Sequence, residues 1–170
     1  MKIGYVIHRF PWPSETFISR ELEDLIALGY DISIYAFERP DGRDQELLTP
    51  EARALMARTQ YISRGEAAQA LLSPLSLKLL GRNARFSREA TVKTHAAQRL
   101  GRAAAVWRRA KKDGVQGLHA HWPYATQICD LIGAGTGTPY SVSIHAHEVA
   151  HDNGHFPAAF ERLEFATFCN

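Results

Sequence analysis

Short apolar runs and helical stretches alternate along this chain from one end to the other, and no other feature of the sequence constrains its fold as tightly. Ile3 to Ile7 has the look of a first central parallel strand, apolar on both sides. A two-proline loop, His8 to Pro13, leads to Ser14, the expected N-cap, with Glu15 in the first turn where the helix dipole favours its charge. Ile18, Leu22 and Leu25 then recur at helical spacing, and Gly29 is the stop. Asp31 to Phe37 reads as a second strand, so the opening is strand, helix, strand. A polar loop from Glu38 to Pro50, a helix near Glu51 to Arg58 and a short strand around Gln60 to Ile62 follow, and Gly65 to Lys112 reads as helical. Beyond Gly117 the pattern resumes as strand Leu118 to His121, helix Tyr124 to Ala134, strand Tyr140 to His145, a helix near Pro157 to Leu163 and a last strand, Phe165 to Cys169. This alternation predicts an α/β fold with a doubly wound, Rossmann-like parallel sheet.

The chain of 170 residues is one domain by length and can bury a core without staples. Its two cysteines, Cys129 and Cys169, lie in apolar surroundings without CxxC spacing, which suits reduced thiols and a cytoplasmic setting. The first residues lack the apolar stretch of a signal peptide, and no run approaches the roughly 18 apolar residues of a spanning helix. A last strand with no helix to cover it suggests a piece of a longer protein.

Tyr140 to Ala146 is a buried-strand pattern that ends in a knot of imidazoles and carboxylates: His145, His147, Glu148, His151, Asp152 and His155. His119 and His121 end the preceding strand and, two apart, share one face of the sheet. Open α/β sheets bind ligands at such carboxyl ends. An HxH pair invites a zinc reading, a hydrolase built on His119, His121, His145 and His147, but three or four ligands at fixed geometry are not identifiable, and no metal is expected. A structural histidine pair, or a role in binding or proton transfer, stands beside it.

Gly133, Gly135 and Gly137 close a helix and precede a strand, so they predict a C-cap and turn rather than a phosphate loop. The first strand-to-helix turn has no GxGxxG, which argues against NAD. It does offer Arg9 and the helix start at Ser14, Glu15 and Thr16 to an anion or a hydroxyl-bearing ligand. Between Lys78 and Lys112, eleven Lys and Arg face a single acid, Glu89, although the whole chain carries only +2. Ala96, Leu100, Ala103, Trp107 and Ala110 form a helical stripe with Arg102 and Arg109 opposite, so this segment reads as a solvated basic face or a surface for anionic lipid. Nucleic acid is not expected, because no RNA-type aromatic or Gly-rich motif interleaves the charges.

The order IGYVI, FPWPSETFISRELEDLIALGYDISIYAF, LHAHW and PYSVSIHAHEVAHD resembles the amino-terminal domain of glycosyltransferase family 4, enzymes of the two-domain GT-B fold. The resemblance spans nearly all of the chain and is weakest from Glu38 to Lys112. It implies an acceptor-binding domain over residues 1–170, with the nucleotide-sugar domain lying outside them. His145 falls where the family places a histidine beside the transferring sugar, and Glu148 stands where an aspartate is commoner. FPWPSET replaces the usual glycine pair, as in the branch that makes cell-surface polysaccharides.

The resulting expectation is the acceptor side of a retaining glycosyltransferase that moves a sugar from a nucleotide-sugar donor to a saccharide or lipid-linked acceptor. His145 and Glu148 are the catalytic candidates; Arg9, Ser14, Glu15, Thr16, His121 and His147 are the substrate-binding ones. Neither cofactor nor metal is needed if the leaving phosphate takes the acceptor's proton. The setting is the cytoplasm, with peripheral contact to an anionic membrane through Lys78 to Lys112. The alternatives are a non-enzymatic membrane- or partner-docking module and the zinc hydrolase.

Overall fold

The computed structural model describes residues 1–89, 96–145 and 160–169. The chain runs β1 (Lys2–Arg9), α1 (Thr16–Ala27), β2 (Asp31–Glu38), α2 (Gly42–Glu46), α3 (Pro50–Arg58), β3 (Thr59–Tyr61), α4 (Arg64–Ala70), α5 (Pro74–Lys78), α6 (Leu80–Glu89), α7 (Ala96–Asp113), β4 (Gly117–His121), α8 (Pro123–Thr136), β5 (Tyr140–His145) and β6 (Phe165–Cys169). All six strands pair in parallel, in the order β3-β2-β1-β4-β5-β6. The chain starts in the middle of the sheet, winds outward through β2 and β3, then returns to β4 and winds the other way. The reversal leaves a crevice outside the carboxyl ends of β1 and β4, where a doubly wound sheet takes its ligand.

The two faces of the sheet have separate cores. On one, Tyr5, Ile7, Ile34 and Ala36 pack on Ile18 and Leu22 of α1 and Leu55 of α3. On the other, Val6, Tyr35, Leu118, Ala120, Tyr140, Val142 and Ile144 pack beneath α7 and α8. The stop at Gly29 has the expected positive φ, 88°. Gly137 likewise caps α8 at φ 77°, its N–H donating to the Gly133 carbonyl at 2.8 Å, so the glycine-bearing loop is the C-cap that its position implies.

Several expectations change. Ser14 is not the N-cap; that position falls to Glu15, without a side-chain cap bond, and Ser14 is exposed in the turn before it. The stretch from Glu38 to Pro50 holds a helical turn, α2, because Asp41 caps it by accepting from the Asp44 N–H at 3.0 Å. Gly65 to Lys112 is broken by Ser73 and Pro74, which start α5 as cap and first residue. The helix expected near Pro157 to Leu163 lies largely outside the described residues.

The largest correction concerns the basic segment. Arg102 and Arg109 do not face solvent. Arg102 is buried, its guanidinium 4.6 Å from the Phe37 ring centre and donating to the Tyr124 hydroxyl at 3.1 Å. Arg109 pairs with Glu66 of α4. Arg99 is fully buried and donates to Asn83 Oδ1 at 2.8 Å. Arg82 grips the buried carboxylate of Asp130 through two bonds of 2.8 Å, and Lys78 donates to the Gly135 carbonyl at 2.7 Å. The reason is local: Ala and Gly dominate α7, so α4 and α8 approach it from two sides, and Gly101 lets its backbone rest against the Ala67 carbonyl. A helix packed on two sides has no single wet face, and its long cations turn to internal acceptors.

Candidate functional site

Alternation along β4 and β5 sends two sets of side chains in opposite directions. His119 and His121, then Ser141, Ser143 and His145, all turn toward the α1 face, and register places His119 beside Ser141 and His121 beside Ser143. All five are buried. His119 is held at both nitrogens, Nδ1 by Ser141 Oγ at 2.8 Å and Nε2 by Ser143 Oγ at 3.1 Å. Ser143 in turn shares a proton with Thr167 Oγ1 of β6 at 2.7 Å.

Glu21 of α1 reaches into this row. Its Oε1 accepts from the Tyr5 hydroxyl at 2.7 Å, and its Oε2 lies 3.4 Å from Nε2 of His121. His121 has no exposed surface, and its Nδ1 meets Nε2 of His145 at 3.3 Å. Tyr5, Glu21, His121 and His145 thus form a continuous polar line from the first strand to the end of the fifth.

Aromatic rings enclose its outer end. Phe17, from the first turn of α1, lies 4.6 Å from the His145 ring centre, and Trp122 lies 4.7 Å from it. Trp122 has φ 73° and ψ 151°, a region occupied almost solely by glycine and costing on the order of 1–3 kcal/mol for other residues. The strain is located in the β4-to-α8 turn, where Pro123 opens the helix and the indole is delivered against His145. The Trp122 Nε1 is buried with no hydrogen bond of normal geometry among the described residues, although Glu15 is close enough for the indole N–H to favour its charged form.

The electrostatics follow from burial and neighbours. Desolvation pushes the Glu21 carboxyl upward, but His121, the Tyr5 hydroxyl and His119 outweigh it and hold the group at about 2. Burial, with the neighbouring His121, pulls His119 down to about 4. Burial and His121 lower His145 as well. Burial raises Glu15, against the pull of Trp122, His121 and Arg9. At neutral pH, Glu21 is therefore a carboxylate, and His119 and His145 are neutral imidazoles.

Of the residues singled out in the sequence, His121 and His145 meet in one site with Glu15 at its edge. Arg9 is drawn aside: its Nε and Nη2 bond Glu38 Oε2 at 3.0 and 2.9 Å while the guanidinium stacks 4.2 Å above Trp12. Thr16 instead lines a cavity of about 230 Å³ between α1 and α3, with Trp12, Arg20 and Glu23. His147 and Glu148, with His151, Asp152 and His155, lie outside the described residues. Glu21 is not among the residues singled out. Its signal is its spacing: Phe17 and Glu21 are four apart and flank the stripe of Ile18, Leu22 and Leu25, the edge of the helix that looks along the sheet.

Glu21, His119 and His121 could each give one ligand atom to a cation, all within 4.8 Å of one another. Ligands at about 2.0–2.1 Å from a tetrahedral zinc ion sit about 3.4 Å apart. The pair of Glu21 and His121 matches that spacing, whereas His119 Nε2 is 3.8 Å from Glu21 and already bonded to Ser143. Without movement, the arrangement is better suited to hydrogen-bond a hydroxyl, or to take its proton, than to close around an ion. No family model matches this chain, and no curated protein or solved structure matches it.

Proposed function

We propose that this chain is the acceptor-side domain of a retaining glycosyltransferase, binding a saccharide or lipid-linked acceptor at the carboxyl ends of β4 and β5. The observation that carries the reading is His145: a neutral imidazole at a strand end, between Phe17 and Trp122 and backed by His121. Aromatic walls with a few placed polar groups suit a ring that is apolar on its faces and hydroxylated at its edge. A neutral imidazole there accepts from, or donates to, a hydroxyl without bringing a charge that must be neutralised. The nucleotide sugar would be held by a second domain, whose leaving phosphate takes the acceptor's proton, and the resemblance of FPWPSET and SIHAHE to family 4 sequences supports the same assignment.

The test is sugar transfer by the full-length protein across a panel of nucleotide sugars and saccharide acceptors. His145→Ala should lower turnover by on the order of 10²-fold with its circular dichroism unchanged. An undiminished rate in that variant makes His145 structural and removes the reading. The zinc alternative draws on one observation, the nearness of Glu21, His119 and His121. One zinc retained per chain after dialysis, and lost in Glu21→Gln, would favour it.

A further inference from the structure

We propose that the cavity between α1 and α3 is a second sugar subsite, taking one outlying ring of an oligosaccharide acceptor whose reacting unit lies in the crevice beyond β4 and β5. Its volume of about 230 Å³ is below the roughly 300–1,000 Å³ of pockets that hold drug-sized ligands, so it suits a single ring rather than a chain. Ser19, Leu48 and Ala52, all buried, line it on the inside, whereas Thr16 and Arg20 are exposed and open it to solvent. Trp12 adds an aromatic wall that is set in advance, because the Arg9 guanidinium, itself bonded to Glu38, stacks 4.2 Å from the indole ring centre.

Two charged groups on its wall have no internal use. Arg20 and Glu23 stand three apart on α1, a spacing at which opposite charges ordinarily meet, yet no ion pair joins them among the described residues. Oε1 of Glu23 is buried with no hydrogen bond among the described residues. A carboxylate oxygen shut off from water and from donors leaves acceptor capacity that a turn of the carboxyl toward a ligand hydroxyl brings into use. Thr49, by contrast, serves the α3 cap, accepting from the Ala52 N–H at 3.2 Å. The ligand that fits presents hydroxyls to Arg20 and Glu23 and an apolar face to Trp12 and Leu48, which is the description of a neutral sugar ring. A zwitterion could match the two charges, but ion pairs in so open a place contribute little, and it would leave the apolar wall uncovered. Thr16 lines the cavity while Phe17, the next residue, lies against His145, so the first turn of α1 stands between the cavity and the crevice. A helix is roughly 10–12 Å across with its side chains, farther than one ring reaches, so an acceptor that engages both places is an oligosaccharide.

The inference rests on the crevice as the acceptor site, but binding in the cavity is measured without any transfer. The full-length ¹⁵N-labelled protein is titrated with methyl hexopyranosides and with di- and trisaccharides of the same hexoses, and the indole N–H of Trp12 is followed, assigned by its loss in Trp12→Phe. At least one sugar should shift that signal to saturation. Glu23→Gln and Arg20→Gln, both on the outer side of α1, should each weaken the binding by about 10-fold, the usual consequence of losing a hydrogen bond to a charged group.

No shift with any of these sugars would overturn the proposal, and so would a shift that both variants leave intact. Glycine moving the Trp12 signal where no sugar does would make the cavity a zwitterion site and overturn it equally. In sugar transfer, a trisaccharide acceptor should show a KM about 10-fold below that of the matching monosaccharide, and Glu23→Gln should erase this advantage with kcat for the trisaccharide nearly unchanged. An advantage that survives Glu23→Gln would sink the proposal, whereas saturable binding that both variants weaken, without transfer to any acceptor, would uphold the cavity as a sugar site and count against the glycosyltransferase reading only.

Discussion

The two faces of β4 and β5 are buried alike and built from opposite chemistry. Leu118, Ala120, Tyr140, Val142 and Ile144 turn to α7 and α8 and are between 0 and 4 % exposed. His119, His121, Ser141, Ser143 and His145, alternating with them on the same two strands, are between 0 and 8 % exposed. The first set gains from leaving water; the second loses hydration and recovers it only through polar contacts with one another and with neighbours such as Thr167 and Glu21. A core needs nothing of the second kind, and a strained Trp122 at its rim adds cost. Departures of this sort from local stability concentrate where a chain does chemistry.

The sharpest way to break this comparison is to truncate one residue from each face. Leu118→Ala should destabilise the chain by about 2–5 kcal/mol, since it removes buried methyl groups and leaves a cavity beneath Tyr35 and Val115. Ser141→Ala removes one hydroxyl from His119 and should cost about 1 kcal/mol. Urea unfolding measures both. Equal losses would mean that the polar row is as much a part of the core as the apolar one.

Of the two rows, the polar one is the one that takes up protons in acid. His119 meets Tyr5, Glu21 and His121 on its side of the sheet and takes a proton only at about 4, against 6.5 when unfolded. Between those values the unfolded chain binds the additional proton, so stability falls as pH drops from 6.5 toward 4, by up to about 3 kcal/mol. Glu21, held at about 2, extends the loss at still lower pH, as the unfolded carboxyl protonates first. His119→Asn should be less stable at pH 7 but should lose distinctly less between pH 7 and 4.5. Parallel pH profiles for the two proteins would show that another group carries the dependence.

The same alternation explains how much of the molecule is legible in its sequence. The strands are, because parallel strands are short apolar runs between helices, and their order follows from winding outward on both sides of a central start. That His119 and His121 share a face follows from a period of two, and the C-cap at Gly137 from its place at the end of a helix. Glu21 is not legible, because a helix pattern tells inside from outside but not which strand end an edge residue will meet. Arg99 and Arg102 mislead for the opposite reason: charge suggests solvent, yet each has internal partners, Asn83 for one and Tyr124 for the other. Long cations with apolar stems obey that rule least.

The smallest effects are expected among the outer bases of the basic segment, which substitutions separate from its inner members. Arg102→Gln loses the stacking on Phe37 and the bond to Tyr124 and should cost about 1–3 kcal/mol, whereas Lys112→Gln should fall within about 0.5 kcal/mol of wild type. Among the described side chains of the segment, what remains for an anionic membrane is then Lys111, Lys112 and Arg108, exposed on the last turns of α7, the last of them also paired with Glu66 at 3.1 Å. At up to ~1 kcal/mol for each base near such a surface, three of them give weak binding that shows in low salt and fades as the Debye length shortens from about 30 Å at 0.01 M to about 8 Å at 0.15 M. Glutamine at these three positions should abolish sedimentation with acidic vesicles at 0.01 M salt and leave the melting temperature in place. Binding that survives the three changes would have to come from another surface, and binding absent from the wild type at low salt would make the outer bases a solvated helix end and nothing more.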